Sequence, residues 1–244
     1  MSIPFEPEVF GMKVNLHLVL EYLAFTLGFW YYVYLRKRSE DHISSNNRLS
    51  IIIGAVFGAL IGSRLMGFLE HPVLPETVSF LQLFNLKTIM GGLFGGLLGV
   101  EFAKKLIGEK QSSGDLFTFP IILGIIIGRV GCFLSGTREF TYGKVTSSFL
   151  GMDLGDGLMR HPLALYEIVF LVLLWVLLKR YQRSDPRSGL LFQWFMISYF
   201  GFRFFMEFLK PNVFLILGLS SIQYLCILCW VYYHRTLRSM LYAH

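Results

Sequence analysis

The chain has 244 residues, 54% hydrophobic and 16% charged, with a mean hydropathy of +0.56. A soluble domain carries about 25% charged residues, so this composition excludes an ordinary water-soluble globule. The net charge of +6 does not signal nucleic acid: the basic residues fall between apolar runs and build no continuous basic face, which fits a membrane better.

The N-terminal stretch lacks a basic n-region and a small-residue cleavage site, so no cleaved signal peptide is expected. Seven mostly apolar runs, near 15–35, 50–69, 88–107, 116–134, 163–179, 189–209 and 213–234, follow in order. Each approaches the ~20 residues a helix needs to cross a bilayer. The first carries Glu21. The second repeats Gly54, Gly58 and Gly62 every four residues and carries Arg64. The third repeats Gly91, Gly95 and Gly99 in the same way. Its GGLFGG stretch at 91–96 is not read as a phosphate loop, because no GK[ST] follows and no strand precedes it. Small residues on one stripe predict close helix packing, and Gly124 and Gly128 extend that expectation to the fourth run.

Arg129 stands in GRVGCF, with Gly128 and Gly131 leaving space around it and Cys132 following. A buried guanidinium with cleared space suits an anion, and its fork matches phosphate. Residues 135–160 are rich in Gly, Ser, Thr and Asp and read as a structured loop. His161 and Pro162 open the fifth run, followed by Tyr166 and Glu167. The sixth holds Arg203 and Glu207, four residues apart on one helix face and suited to a local pair. Three cysteines make no paired disulfide framework, and the CxxC of Cys226 and Cys229 lies inside an apolar run, where packing is the expected role.

Charge counting gives an orientation. Thirteen Lys and Arg fall on one set of connections and six on the other, while Arg64, Arg129 and Arg203 lie inside the runs. The positive-inside rule then predicts an all-α, polytopic membrane protein with its N-terminus outside and its C-terminus in the cytoplasm. The domain expectation is a single transmembrane unit over 1–244 with an extracytoplasmic loop at 135–161. On this reading Glu21, Arg64, Arg129, Glu167, Arg203 and Glu207 share the outer side, whereas Glu101 leans inward beside Lys104 and Lys105. Intramembrane charges normally face a cavity or a partner. A shared polar cavity is the functional reading, and three Arg–Glu pairs that only hold the bundle together are the structural one.

GRVGCFLSG at 128–136, TYGKVTSSFLGMDLGDGLMRHPLALYE at 141–167 and RFFMEFLKP at 203–211 resemble the bacterial phosphatidylglycerol–prolipoprotein diacylglyceryl transferases. The resemblance implies a seven-helix bundle in the bacterial cytoplasmic (inner) membrane. It implies transfer of the diacylglyceryl group of phosphatidylglycerol to the cysteine thiol of a lipoprotein signal peptide, with glycerol phosphate leaving and no metal or nucleotide cofactor. Arg129, Arg203 and Glu207 match the family's arginines and glutamate, Gly143 its closing glycine, and His161, Tyr166 and Glu167 its HPxxLYE element. Gly136 is the second signature glycine. The acidic residue that normally follows it is matched loosely by Glu139, two residues late. Cys132 stands where the signature has Asn, and Met90 where the third run usually carries a His. The expected proton acceptor is then Glu21, Glu139 or His161, with Arg129, Arg203 and Arg64 holding phosphate. Alternatives are a related membrane lipid transferase with another acceptor, and a non-catalytic lipid-binding or transport protein. A transporter usually places its site at the midplane, often with internal repeats, and neither is read here.

Overall fold

The computed structural model describes residues 3–9, 11–39, 41–70, 86–184, 186–212 and 216–241. Among these the framework is helical: α1 (Leu16–Arg38), α2 (Ser45–Glu70), α3 (Ile89–Ile107), α4 (Asp115–Ser135), α5 (Leu163–Gln182), α6 (Leu190–Met206), α7 (Ser221–Tyr232) and α8 (His234–Leu241). Two small antiparallel hairpins complete it, β1 (Glu8–Val9) with β2 (Met12–Lys13) and β3 (Met152–Asp153) with β4 (Met159–Arg160). Three of the described helices are long and apolar enough to cross a membrane: α1, α2, and α4 with its continuation to Arg138. Their outward faces are apolar: Phe25 is 71% exposed, Trp30 74% and Ile61 65%. Such a surface suits lipid rather than water.

The chain divides into two compact units. The first comprises residues 1–40 and 113–211, and the second 41–112 and 212–244. In the first, α1 lies antiparallel to α4. His17 meets Gly131, Ala24 meets Gly124, and Gly28 meets Pro120, in reverse order along the two helices. Asp115, the first residue of α4, accepts the backbone N–H groups of Gly189 (2.5 Å) and Phe192 (3.0 Å), which ties it to the start of α6. A carboxylate there satisfies N–H groups that no intrahelical carbonyl can reach. The last two turns of α4, the first two of α5 and the last of α6 are joined through Glu167, which contacts Arg129 and Arg203.

In the second unit α2 and α3 form the glycine seam that their spacing predicts. A Cβ on Gly58 would lie 2.9 Å from Gly99 Cα, and one on Gly95 would lie 2.9 Å from Gly62 Cα. Such approaches are closed to any residue but glycine. The third helix begins at a capped terminus, where the Thr88 side chain accepts the Gly91 N–H at 3.1 Å. Lys104 pairs with Glu101 at 3.5 Å, as expected.

Two expectations change. Gly124 and Gly128 do not form a comparable seam: a Cβ at Gly124 would make ordinary contact, 3.6 Å from Ala24 O, and one at Gly128 would meet nothing within 4 Å. The seventh helix is also shorter than the run 213–234. Residues 213–215 lie outside the described residues, and Ile216–Leu219 close a turn with Leu217 at φ 51° and Gly218 at φ 80°. The helix starts only at Ser221, where Ser220 and Gln223 cap each other's backbone. Cys226 and Cys229 are buried within it, consistent with packing.

Candidate active site

Four of the six charges placed on one level by the sequence meet in the first unit. Glu167, on the first turns of α5, is 1% exposed and is shared by two guanidiniums. Its Oε1 lies 2.8 Å from Arg129 Nε and accepts the Tyr199 hydroxyl at 2.6 Å, and its Oε2 accepts from Arg203 Nη1 at 3.0 Å. Arg203 Nη2 donates to Glu207 at 2.6 Å, the local pair expected from their spacing. The Arg129 Nε–H points off the line to Glu167, so that contact is an ion pair without an aligned hydrogen bond. Arg203 Nε is likewise buried without an aligned partner. The charges alternate along the cluster and sum to zero when all four are ionised. Bare burial of any one of them would cost several kcal/mol, so each depends on its neighbours.

Cys132 lies one turn beyond Arg129, and its sulfur accepts from Arg129 Nη1 at 3.7 Å. It also borders a small cleft lined by Gly136, Thr141, Tyr142, Pro162 and Leu163. The expected binding glycines turn out to shape the backbone there. Gly136 ends α4 at φ 58°, a conformation that disfavours a side chain. Gly143 packs where a Cβ would sit 2.6 Å from His161 Cβ. Residues 143–146 are pinned between two segments: Gly143 N–H donates to His161 O (3.0 Å), Lys144 N–H to Leu209 O (2.7 Å) and Thr146 N–H to Met159 O (2.8 Å).

His161 therefore has a structural part in its backbone, and its Nδ1 is 3.1 Å from the Tyr166 hydroxyl. Beyond it, Asp153 Oδ1 accepts the Gly155 and Gly157 N–H groups (2.8 and 3.0 Å). Arg160 donates to Asp156 at 2.7 Å and holds that carboxyl below the usual carboxylate range. Glu139 and Glu21 are not part of the charge cluster. Both lie within electrostatic range of His17 instead.

The remaining predicted residues belong to the second unit. Arg64, on α2 of the second unit, donates to the Leu86 carbonyl at 3.3 Å. Met90 is buried in the first turn of α3. Two site residues escaped the sequence reading. Tyr199 precedes Arg203 by one helical turn, a spacing that signals a shared face. His17 opens α1, and the Cys132 thiol is within hydrogen-bonding reach of its imidazole. Their separation of more than a hundred residues left no local signal.

A family model described as "Prolipoprotein diacylglyceryl transferase" matches residues 7–235. A phosphatidylglycerol–prolipoprotein diacylglyceryl transferase of Bordetella bronchiseptica is 32% identical over 225 residues, 84% of this chain and 84% of the relative. One from Ehrlichia ruminantium is 32% identical over 220 residues, 83% of each. One from Nitratidesulfovibrio vulgaris is 34% identical over 176 residues, covering 67% of this chain and 63% of the relative, so less than two thirds of that relative's length is spanned. Because the match begins before α1, continues past α7 and takes in the whole charge cluster, the chain belongs to the prolipoprotein diacylglyceryl transferase family.

Proposed function

We propose that this chain transfers the diacylglyceryl group of phosphatidylglycerol to the cysteine thiol of a lipoprotein signal peptide. The observation that carries the reading is the buried pair of guanidiniums, Arg129 and Arg203, held by one shared carboxylate. A guanidinium has five N–H donors. Arg129 sits with its Nε 2.8 Å from Glu167 and donates from Nη1 to Cys132, and the rest of its fork suits the phosphodiester. In the reaction the acceptor sulfur bonds to the glyceryl carbon that carries the phosphate. The carbon–oxygen bond breaks, and its electron pair leaves on glycerol phosphate. Charge grows on the departing oxygens, where fixed cations in a dry site are most effective. Glu167 and Glu207 keep both cations paired and aimed before substrate arrives, and Tyr199 fixes Glu167.

The proposed setting is a bacterial inner membrane crossed seven times, the N-terminus and the 135–161 loop outside and the C-terminus in the cytoplasm. The antiparallel pairing of α1 and α4 supports one part of this, since it puts the start of α1 and the end of α4 on the same side. Lipid and peptide would enter sideways from the outer leaflet. The test is purified protein with phosphatidylglycerol and a lipobox peptide, with the thioether product read by mass spectrometry.

A second reading has the same donor and a different acceptor. Met90 and Cys132, standing where the resemblance expects His and Asn, favour it. It would be supported if the wild type binds phosphatidylglycerol without modifying the lipobox thiol and Met90→His creates that activity.

A further inference from the structure

A thiol attacks as its thiolate, so the transfer needs a group that takes the proton. Met90 offers a thioether, which is no useful base, and His161 has its Nδ1 directed at Tyr166. The first unit contains two histidines by sequence, His17 and His161. We propose that His17 is the proton acceptor for the incoming thiol, oriented by Gly131 and Cys132 on the facing helix. The inference rests on the transfer reading above.

Four observations converge on it. First, His17 is the second residue of α1, at the end of that helix that meets the last turns of α4. Second, its ring is fitted to α4 by a missing side chain: a Cβ on Gly131 would lie 3.2 Å from His17 Nδ1 and 3.4 Å from its Cα. Third, Nδ1 is buried without an aligned partner while the residue as a whole is partly exposed. Fourth, the Cys132 sulfur links this imidazole to the phosphate-holding cation. It is within reach of His17 and 3.7 Å from Arg129 Nη1.

The chemistry closes with those groups. With the ring proton on Nδ1, Nε2 carries the lone pair. The acceptor S–H gives its proton to Nε2 as sulfur bonds to the glyceryl carbon. The imidazolium later returns the proton to the departing phosphate or to water. The charged groups within electrostatic range of the ring are Glu21, one turn along α1, and Glu139 in the loop. Arg129 stands beyond the Cys132 sulfur. The two acidic residues expected from sequence as bases thereby acquire a different part, as counter-charges to His17.

The test uses the full-length protein in phosphatidylglycerol vesicles with a lipobox peptide. His17→Gln is expected to lower kcat by about 10²–10⁴-fold, the usual value of a positioned base, with KM for the lipid little changed. The wild-type rate should rise with pH as the imidazole loses its proton, and the variant should lose that limb. His17→Ala should regain turnover with added imidazole, which a merely structural histidine would not allow. Cys132→Ser, altering a positioning residue, should keep the limb and displace it along the pH axis. If His17→Gln turns over within about threefold of wild type with the same limb, His17 is not the base. If it is inactive, binds no lipid, and imidazole does not rescue His17→Ala, the residue is structural and the proposal fails. If the wild type itself forms no thioether, the transfer reading falls and takes this inference with it.

Discussion

Glu167→Gln removes one negative charge from the centre of the buried cluster while keeping its shape. Two guanidiniums with charge centres roughly 4 Å from that carboxylate each lose an attraction of about 4 kcal/mol at an effective dielectric near 20. Relief of the desolvation of Glu167, which is 1% exposed, offsets part of this. Breaking a buried pair from one side costs about 3–5 kcal/mol net. The amide can still accept from Tyr199 or from one arginine, but its NH₂ then faces the other cation. For a chain of this size each kcal/mol moves the thermal midpoint by about 2–4 °C, so a fall of about 6–20 °C in detergent is expected. Arg203→Gln added to Glu167→Gln should cost less than the sum of the two singles, because the second change removes a cation the first left unbalanced. A Glu167→Gln protein melting within about 2 °C of wild type, or additive singles, would refute the view that these charges depend on one another.

Arg129→Ala and Arg129→Lys are both expected to abolish thioether formation while the protein still inserts, since Lys offers a point charge in place of a fork; membrane fractionation with product mass spectrometry checks both. Cysteine introduced at Ser147 should react with an impermeant reagent added outside, and one at Ser184 should not; the reverse pattern would turn the proposed orientation over. Gly95→Val should force α2 and α3 apart and lower folded yield sharply, whereas Gly128→Val, with nothing within 4 Å of its Cβ position, should leave yield near wild type by fluorescence-detected chromatography. Asp156, its carboxyl depressed by Arg160, should help order the 150–160 loop above the ordinary carboxylate range and lose that contribution as pH falls through its lowered value; limited proteolysis of the loop across acidic pH reads the change.

The helical framework was legible because apolar run length is a one-dimensional signal. Seven runs were expected, and a helix lies within or across each. Where run length misled, at 213–234, apolar residues occupy a turn. The sequence did carry the correction, in Ser220 and Gln223 at capping-box spacing. Arg203 and Glu207 were paired correctly because four residues make one helical turn. The glycine repeats of α2 and α3 were read correctly, whereas Gly124 and Gly128 show that a four-residue glycine repeat need not bring two backbones close enough to exclude a Cβ. Glu167 as the hub was not legible, since its partners come from α4 and α6, and neither was His17, whose partner Cys132 lies on another helix. Arg64 and Arg129 look alike as lone arginines in apolar runs. Only their partners distinguish them, a backbone carbonyl in one case and a shared carboxylate in the other.

The α2–α3 seam has a thermodynamic consequence. Lipid offers helices no hydrophobic reward for associating, so a seam must gain from contact and lose little in ordering. Gly58 facing Gly95 and Gly99, and Gly62 facing Gly91, bring backbone against backbone, with no rotamers to freeze. An added Cβ at any of these glycines would collide with an opposing carbonyl oxygen, so the backbones meet directly. Tolerance to substitution should therefore be sharply one-sided around these helices. The lipid-facing positions of α2, such as Phe57 and Ile61, accept most apolar side chains, while on the seam even a methyl group is too large.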